Sequence, residues 1–447
     1  MASRLSQIAS HLVPESLNHH NHHSSGAKIG VKSDDDVVIC CAVRTPITRG
    51  FKGGFKDTVP EDLLADVLIA LRERTKLNPA LVEDICVGNV LQPSGGATTS
   101  RMAALYAGYP AETSLYTVNR QCASGLQAVV NIANSIETGE IEIGIGAGVE
   151  SMSLGYGPSA MAAQTSERIP RESQEAADCQ LSMGMTSENV ARDFGIDRKA
   201  QDEFAALSFQ RAALAQKEGR FKDEIVPVRT FIKDNNNKDQ KASKDKGGNK
   251  EKNDEEQATR RPVVISQDDG IRDGVTFESL SKIRPAFLSD GSTTAGNASQ
   301  ISDGAAAVLL MRRRTAKRLG MPILGKFITS VVRGVQPKHM GIGPAVAIPA
   351  VCKKAGIEIK DVDLFELNEA FASQTVYTIR KCGLDTNKVN VNGGALALGH
   401  PLGCTGARQI ATLLNELKRR KERVGIVTMC MATGMGAAAL FENEQHV

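Results

Sequence analysis

Tryptophan is absent from the 447-residue chain, and aromatic residues of all kinds make up only 4% of it. A core with so few rings must be built mainly from aliphatic and small side chains. Such side chains are plentiful, because 41% of the residues are hydrophobic and 41 residues are glycine. This composition excludes wholesale disorder, and the length predicts about three folding units.

A strong charge of either sign is also missing. Lys and Arg number 54 against 51 Asp and Glu, which leaves a net charge of only +3. A balance this even gives no general attraction to nucleic acid or to a membrane surface. No apolar run approaches the roughly 18 residues of a membrane-spanning helix, so the sequence predicts no membrane span.

Paired cysteine motifs are lacking as well. The nine cysteines are scattered, and no C-x-x-C pair or Cys/His cluster occurs among them. This spacing argues against a zinc site, and we expect no metal. A dispersed, odd set of thiols in a long chain is typical of reduced cysteines in an intracellular compartment.

The first 35 residues do not read as part of a fold. They contain a short Ser-Ser-Gly stretch, the start of an acidic run and four histidines, namely His19, His20, His22 and His23. Metal binding is one interpretation of these histidines. A solvated linker without packing partners is the interpretation we favour.

The start of this leader carries a second pattern. Arg4-Leu5 is followed, after five residues, by His11-Leu12. This spacing resembles the type-2 peroxisomal targeting signal, and no apolar signal-peptide core accompanies it. We therefore expect an import receptor as a partner rather than secretion.

From residue 37 onward, apolar strand-like runs alternate with amphipathic helices, which predicts an α/β fold with a buried sheet. The second half of the chain repeats patterns of the first. Gly304-Ala305-Ala306-Ala307 is echoed by Gly436-Ala437-Ala438-Ala439, and the strand opening at Asp84 is echoed by the strand opening at Asp363. The repeat predicts two related units with an active site where they meet.

Residues 152–300 interrupt this repeat. In their middle, residues 233–261 are rich in Lys, Asp, Asn and Glu with almost no apolar side chain. We expect this stretch to be a surface loop that cannot bury enough area to fold. Its acids balance its bases and no aromatic residue is interleaved, so nucleic-acid binding is not indicated.

Three segments carry residues suited to chemistry. Cys122 precedes a predicted helix, whose N-terminal dipole should lower the pKa of the thiol; the alternative is an inert buried cysteine. His400 lies in a glycine-rich loop ahead of another helix; the alternative is a core histidine with satisfied hydrogen bonds. Cys430 follows a strand on a glycine-rich turn, and Asn368 directly follows a further strand.

Longer stretches of the sequence, which include these segments, resemble the thiolase family, in particular its peroxisomal 3-ketoacyl-CoA branch. The matching stretches cover nearly all of residues 37–442. They are V-N-R-Q-C-A-S-G-L-Q-A, G-A-G-V-E-S-M-S, S-M-G-M-T-S-E-N, T-A-G-N-A-S-Q-I-S-D-G-A-A, M-G-I-G-P-A, N-E-A-F-A-S-Q, N-V-N-G-G-A-L-A-L-G-H-P-L-G-C-T-G-A-R and C-M-A-T-G-M-G-A-A-A.

The resemblance implies a thiolase fold, a five-layer αβαβα arrangement of two related halves with an inserted loop domain, and a homodimer. We accordingly expect a targeting leader and linker in residues 1–35 and an N-terminal half in residues 36–151, completed by residues 302–322. The loop domain then spans residues 152–301, with its charged insert at 233–261, and the C-terminal half spans residues 323–447.

The resemblance also implies degradative thiolysis of 3-ketoacyl-CoA by coenzyme A in fatty-acid β-oxidation, with coenzyme A as co-substrate and no other cofactor. Cys122 would be the nucleophile, His400 its activator and an oxyanion donor, and Cys430 the general acid and base. Asn368 would hold a water molecule, and the backbone N–H groups of Cys122 and Ala432 would form an oxyanion hole.

Contacts with coenzyme A are implied at three further residues, Met183, Ser299 and Phe371. The sequence departs from the family pattern at Ala432, because Cys430-Met431-Ala432 stands where the family usually has C-x-G. If φ at Ala432 is negative, this change should be nearly silent, and that is what we expect.

Two other functions remain open at this point, one enzymatic and one not. A biosynthetic acetoacetyl-CoA thiolase has the same residues, and a catalytically dead lipid-binding protein could share the fold. A ketoacyl synthase, which also shares the fold, lacks a second catalytic cysteine, so Cys430 argues against that reaction.

Overall fold

The computed structural model describes residues 28–157, 165–233 and 260–445. The targeting motif (Arg4, Leu5, His11 and Leu12), the histidine cluster of the leader and nearly all of the charged insert lie outside the described residues.

The described strands, in chain order, are β1 (Val37–Arg44), β2 (Thr48–Arg49), β3 (Asp84–Gly88), β4 (Ser114–Val118), β5 (Ile143–Ser151), β6 (Val228–Lys233), β7 (Arg260–Ile265), β8 (Ser302–Arg312), β9 (Gly325–Gly334), β10 (Leu364–Leu367), β11 (Val424–Met431) and β12 (Met435–Asn443).

The described α-helices are α1 (Pro60–Thr75), α2 (Ala97–Tyr106), α3 (Ser124–Thr138), α4 (Met152–Gly155), α5 (Arg168–Glu172), α6 (Gln174–Asp178), α7 (Met183–Asp193), α8 (Arg198–Lys217), α9 (Phe277–Ser281), α10 (Arg313–Arg318), α11 (Gly343–Ala355), α12 (Ala372–Cys382), α13 (Ala395–Leu398) and α14 (Leu402–Arg420).

The strands of the core form two groups that meet at one short junction. In the first half the order is β1-β8-β5-β3-β4, and in the second half it is β10-β11-β12-β9. Only two residue pairs, Val38 with Lys326 and Ile39 with Gly325, join β1 to β9. Each half is therefore a mixed sheet with its own helices.

Continuous burial explains why these strands read as unbroken apolar runs. Every residue of β1, β5, β8 and β11 is buried. Successive side chains of β1 point to opposite faces, so Val37 and Ile39 enter one hydrophobic cluster while Val38 and Cys40 enter another. A strand covered on both faces cannot show the polar alternation of a solvent-facing sheet.

The hydrophobic clusters define five layers. Helices α1 and α2 cover the outer face of the first sheet, and α11 covers the outer face of the second. Helices α3 and α14 lie between the two sheets and share one cluster with side chains from both. The resulting order is helix, sheet, helix, sheet, helix, as the resemblance implied.

The two central helices approach each other through glycine. A Cβ atom at Gly125, on the first turn of α3, would lie 2.5 Å from the carbonyl oxygen of Gly403, on the first turn of α14. A Cβ atom at Gly406 would lie 2.2 Å from the backbone nitrogen of Leu126. Any larger side chain would force the helix starts apart, so these glycines fix how closely the two halves meet.

The predicted repeat is visible in matched hydrogen bonds. Glu83, just before β3, accepts bonds from the backbone N–H groups of Glu142 and Ile143, at the start of β5. Asp363, just before β10, accepts bonds from Arg423 and Val424 in the same way, at the start of β11. Position n of β5 therefore corresponds to position n + 281 of β11.

The fold begins earlier than the expected boundary at residue 36. The buried Nζ of Lys326 donates to the carbonyl oxygens of Lys28, at 2.7 Å, and Val31, at 2.6 Å. Arg313 binds both Asp36 and Glu444. The segment before β1 thus satisfies buried cations of the core and is part of the folded chain.

Strands β6 and β7 form an antiparallel hairpin in which Lys233 pairs with Arg260. The charged insert therefore leaves and re-enters the fold at the end of one hairpin. No helix within the described ranges is both long and apolar enough to cross a membrane.

Candidate active site

Cys122 lies on a tight loop between β4 and α3. The preceding residue, Gln121, has a φ of 50°. Ser124, the first residue of α3, closes the loop, because its hydroxyl donates to the carbonyl oxygen of Gln121 at 2.6 Å and accepts from the N–H of Arg120 at 2.9 Å. A non-glycine residue in the left-handed region costs conformational energy, which the loop contacts offset.

Backbone N–H groups of Cys122 and Ala432 act on the Cys122 thiol and lower its pKa. Burial acts in the opposite direction and outweighs them, with a further contribution from the Glu150 carboxylate, so that the pKa of Cys122 is raised to about 11. The backbone N–H groups thus act in the expected direction, but the net shift of this pKa is upward. Removing the thiolate from water costs more than the oriented N–H groups return.

The turn after β11 supplies the second of these N–H groups. Its left-handed positions are Thr433, with φ of 65°, and Gly434, with φ of 88°. Ala432 is not among the described non-glycine residues with positive φ. The alanine therefore replaces the usual glycine without backbone strain, as the sequence led us to expect.

Cys430 is fully buried near the end of β11. Burial raises the pKa of this thiol, and the neighbouring Cys122 raises it further. The two thiols therefore share one site, although they come from different halves of the chain. Cys430 is protonated at neutral pH, as a general acid must be.

His400 is buried two residues before α14, and its ring is held from both sides. Nδ1 lies 2.6 Å from the Thr405 hydroxyl, which also donates to the carbonyl oxygen of Pro401 at 3.2 Å. Because that hydroxyl proton is used, Thr405 accepts from Nδ1–H, and the lone pair of the neutral ring is on Nε2. Burial, with a contribution from Arg408, lowers the pKa of His400 to about 3.

Asn368 lies on the other side of the imidazole, with Nδ2 at 3.3 Å from His400 Nε2. Its backbone is fixed by the bond from its N–H to the Thr428 carbonyl and by the bond from Gln374 to its own carbonyl. The Oδ1 atom of Asn368 is buried and has no hydrogen-bond partner in the described part of the chain. This atom can accept a bond from water or substrate.

The residues expected to contact coenzyme A lie together beside Cys430. Phe371 and Cys430 belong to one small apolar cluster with Met340 and Ala370, against which Met183 packs. The N–H of Ser299 donates to the carbonyl of Ala370 at 3.0 Å.

The two halves of the site meet through the central helices. Cys122 and His400 each stand two residues before the helix that follows, α3 and α14. The first turns of these helices are in contact through Gly125 and Gly403. The helix starts that follow Cys122 and His400 therefore lie side by side at the junction of the halves.

Three supporting residues had no clear signal in the sequence. Thr405 sets the tautomer of the His400 ring. The carbonyl oxygen of Gln300 accepts a bond from the backbone N–H of His400 at 3.2 Å. Glu369 accepts bonds from Ser208, at 2.6 Å, and Asn390, at 2.7 Å, and so holds the region beside Asn368. The one hint in the sequence was the hydroxyl of Thr405, which lies on the first turn of a predicted helix, directly after the glycine-rich loop of His400 and Pro401.

The described residues contain no cluster of three or more metal-ligating side chains. Two thiols and a neutral imidazole can transfer an acyl group to a thiol and move the protons that this transfer requires.

Comparison with known proteins gives the same picture over the whole chain. Residues 37–314 match the model of the thiolase N-terminal domain, and residues 321–443 match that of the thiolase C-terminal domain. The chain is 51% identical to peroxisomal 3-ketoacyl-CoA thiolase 2 of Arabidopsis thaliana, over 98% of this chain and 94% of that protein. It is 52% identical to peroxisomal 3-ketoacyl-CoA thiolase A of Mus musculus, over 98% of this chain and 99% of that protein.

A solved structure agrees with these relatives. The dimeric peroxisomal thiolase of Saccharomyces cerevisiae superposes with a TM-score of 0.82 at 46% identity, over 93% of this chain and 99% of that one. A second structure of the yeast enzyme, described as five-layered and built from two core domains of identical topology, gives a TM-score of 0.73 at 41% identity, over 92% of this chain and 99% of that one. The chain belongs to the thiolase family.

Proposed function

We propose that the chain is a degradative peroxisomal 3-ketoacyl-CoA thiolase, an acyltransferase of fatty-acid β-oxidation. The observation that carries this proposal is the presence of two thiols in one site, Cys430 buried and Cys122 partly buried. Cys122 receives the Ala432 N–H on its sulfur, and Cys122 lies close enough to Cys430 to raise the pKa of that second thiol. A reaction that protonates a carbanion and then deprotonates an incoming thiol needs an acid and base besides the nucleophile, and Cys430 can serve as that group.

In the first half-reaction, the Cys122 sulfur attacks the 3-keto carbon while its proton passes to Nε2 of His400. The raised pKa of Cys122 means that the thiol is protonated at rest, so a neutral imidazole with its lone pair on Nε2 is the required acceptor. The resulting oxyanion accepts the N–H groups of Cys122 and Ala432, which are fixed before the reaction.

Collapse of this adduct breaks the bond between C2 and C3. The electron pair remains on C2 and the thioester oxygen as the enolate of acetyl-CoA, which the protonated His400 and a water held by Asn368 stabilise. Cys430 then transfers its proton to C2, and acetyl-CoA leaves.

In the second half-reaction, the Cys430 thiolate takes the proton of incoming coenzyme A. The coenzyme A sulfur attacks the acyl group on Cys122, and the bond between that acyl carbon and Cys122 breaks. His400 returns its proton to Cys122, so both cysteines and the histidine regain their starting forms.

Residues 152–301 act in this proposal as the loop domain that contributes Met183 and Ser299 to the coenzyme A contacts. Phe371 contributes from the second half. Packing of Met183 against the cluster that contains Cys430 and Phe371 supports this assignment, because it brings the loop domain to the edge of the site.

The proposed enzyme is a homodimer. Strand β4 is the edge of the first sheet, and no strand of the described residues pairs with its outer side. The nearby helix α2 leaves Met102, Leu105 and Tyr106 exposed at 57%, 45% and 80%. An unpaired edge beside an apolar helix face is typical of a subunit interface, and the yeast relative is described as dimeric.

The peroxisome is the proposed compartment. Relatives from a plant and a mammal are named peroxisomal. The motif of Arg4, Leu5, His11 and Leu12 is the proposed ligand of the import receptor.

A thiolysis assay with purified protein tests the activity. We expect coenzyme A-dependent loss of both acetoacetyl-CoA and a long-chain 3-ketoacyl-CoA, with acetyl-CoA among the products. Activity with acetoacetyl-CoA alone would favour the biosynthetic alternative, and activity with neither would contradict the proposal. The Cys122→Ser variant serves as the blank.

A further inference from the structure

Glu150, near the end of β5, is a buried carboxylate for which the proposed reaction has no use. It is fully buried, and three backbone N–H groups converge on it. Its Oε2 accepts from Val90 at 3.0 Å and from Gly403 at 3.0 Å, and its Oε1 accepts from Leu91 at 3.1 Å.

These donors belong to the two sides of the active site. Gly403 is the second residue of α14 and lies three residues after His400. Val90 follows β3, and its carbonyl accepts from the side chain of Asn119 at 3.3 Å. Asn119 in turn accepts from the N–H of Gln121 at 2.9 Å, the residue next to Cys122. One carboxylate therefore links the loop of the nucleophile to the start of the histidine helix.

The backbone around Glu150 leaves no room for another connector. A Cβ atom at Gly148 would lie 2.1 Å from the carbonyl oxygen of Gly403, and one at Gly403 would lie 2.6 Å from Cα of Asn89. The start of α14 is therefore packed directly against the ends of β5 and β3, and the bonds of Glu150 cross this contact.

The repeat shows that this carboxylate is specific to one half. The correspondence between β5 and β11 pairs Glu150 with Met431, which has no acidic group. When Glu150 is ionised, its negative charge lies at the N-terminus of the histidine helix, where the helix dipole stabilises it. The corresponding position of the other half brings no carboxylate.

We propose that Glu150 is a positioning residue of the reaction. It fixes the positions of His400 and Cys122 relative to each other by joining the start of α14 to the loop after β3. The inference rests on the proposed function for its kinetic part only. Alkylation of Cys122 provides a readout that does not require turnover.

The charge of Glu150 supplies that second readout. Ionised Glu150 raises the pKa of Cys122, and burial raises the pKa of Glu150 itself to about 7. The other titratable groups facing it are Asp303 on β8 and Cys404 on α14. Asp303 is bound by the N–H of Ser153 at 2.8 Å, and its carboxylate makes no hydrogen bond to α14.

The experiment compares Glu150→Gln with the matched variant Asp303→Asn, which also removes a buried charge from the adjacent strand. For each full-length protein we would measure kcat and KM of thiolysis, the thermal midpoint, and the pH dependence of Cys122 alkylation by iodoacetamide. The glutamine amide keeps the shape of the glutamate side chain. Its NH2 group, however, faces one of the three backbone N–H groups and cannot accept a hydrogen bond from it.

For Glu150→Gln we expect kcat to fall about 10- to 100-fold with KM changed less than about twofold, because misplacement acts on the chemical step. The midpoint of alkylation should move down by roughly 0.5–1 pH unit, since a nearby negative charge is gone. Asp303→Asn should lower the thermal midpoint and leave both kcat and the alkylation midpoint unchanged.

Equal effects of the two variants, or a Glu150→Gln protein with unchanged kcat and an unmoved alkylation midpoint, would overturn the proposal. If Glu150→Gln does not fold, Asn119→Ala breaks the same link at an exposed position. It should lower kcat with little change in KM, and normal kcat would equally overturn the proposal. An inactive wild type would contradict the proposed function, while the alkylation comparison would still test Glu150.

Discussion

Asn368 Nδ2 lies 3.3 Å from His400 Nε2, while the Thr405 hydroxyl holds Nδ1 on the opposite side of the ring at 2.6 Å. The imidazole is thereby fixed in one tautomer, with its lone pair on Nε2 beside Asn368. The histidine of this site is a neutral proton acceptor whose direction is set by two uncharged neighbours.

Thr405→Val tests that arrangement. Loss of the acceptor for Nδ1–H frees the tautomer and the ring, so we expect kcat to fall about tenfold or more, with stability reduced by about 1 kcal/mol. Thr378→Val is the matched control, because that buried hydroxyl donates only to the carbonyl of Gln374 on its own helix. A normal kcat in Thr405→Val would contradict the assigned tautomer.

The lowered pKa of His400 predicts a specific acid sensitivity. Its value of about 3 in the folded protein lies below the ordinary value of 6.5, so the folded state binds fewer protons than the unfolded state between these limits. The stability linked to neutral His400 is present above pH 6.5 and is lost progressively as the pH falls toward 3.

Denaturant unfolding of wild type and His400→Asn across this range provides the measurement. The stability difference between the two proteins should shift against the wild type as the pH falls. An NMR titration of His400 with a midpoint near 6.5 would contradict the prediction.

The repeat of β/α units and the buried, apolar character of the strands were accessible from the sequence, and the sequence also supplied the proposed reactive residues. Periodicity and motif spacing are local properties, and Cys122, His400 and Cys430 each end or begin a recognisable element. The pKa of Cys122 was not accessible, because the sequence shows the helix that lowers it but not the depth of burial that raises it. Thr405 and Glu150 were missed because their partners are defined only by the folded backbone.

Ala432→Gly tests the turn beside Cys430. Since Ala432 itself needs no left-handed φ, glycine should leave kcat within about twofold of the wild type. It should also lower stability by about 0.5–1 kcal/mol through the greater freedom of the unfolded chain. A tenfold rise in kcat would show that alanine misplaces the oxyanion donor.

The segment before β1 predicts a difference between two truncations. A chain starting at Lys28 keeps the carbonyl oxygens of Lys28 and Val31 on the buried Lys326, and a chain starting at Asp36 loses both. We expect the shorter protein to be less stable by about 2 kcal/mol or more, because a buried cation loses two acceptors. Equal thermal midpoints of the two truncations would argue against this structural role.

The targeting proposal has its own test in cells. Arg4→Ala or His11→Ala should leave a fluorescently tagged full-length protein in the cytosol, whereas the unchanged protein should enter peroxisomes. Lys32→Ala, a change on the folded side of the leader, is the control. Import of either leader variant at the normal level would show that the motif does not direct import.

The central claim is that Cys122 and Cys430 divide the chemistry between them, and single-turnover mass spectrometry of two serine variants tests it most directly. Incubated with an acyl-CoA, Cys430→Ser should carry the acyl group on Cys122 at a slow but measurable rate, while its steady-state thiolysis should fall by more than about 10²-fold. Cys122→Ser should carry no acyl group at all. Turnover of Cys430→Ser at the wild-type rate, or acylation of Cys430 in the Cys122→Ser protein, would contradict the two-thiol mechanism.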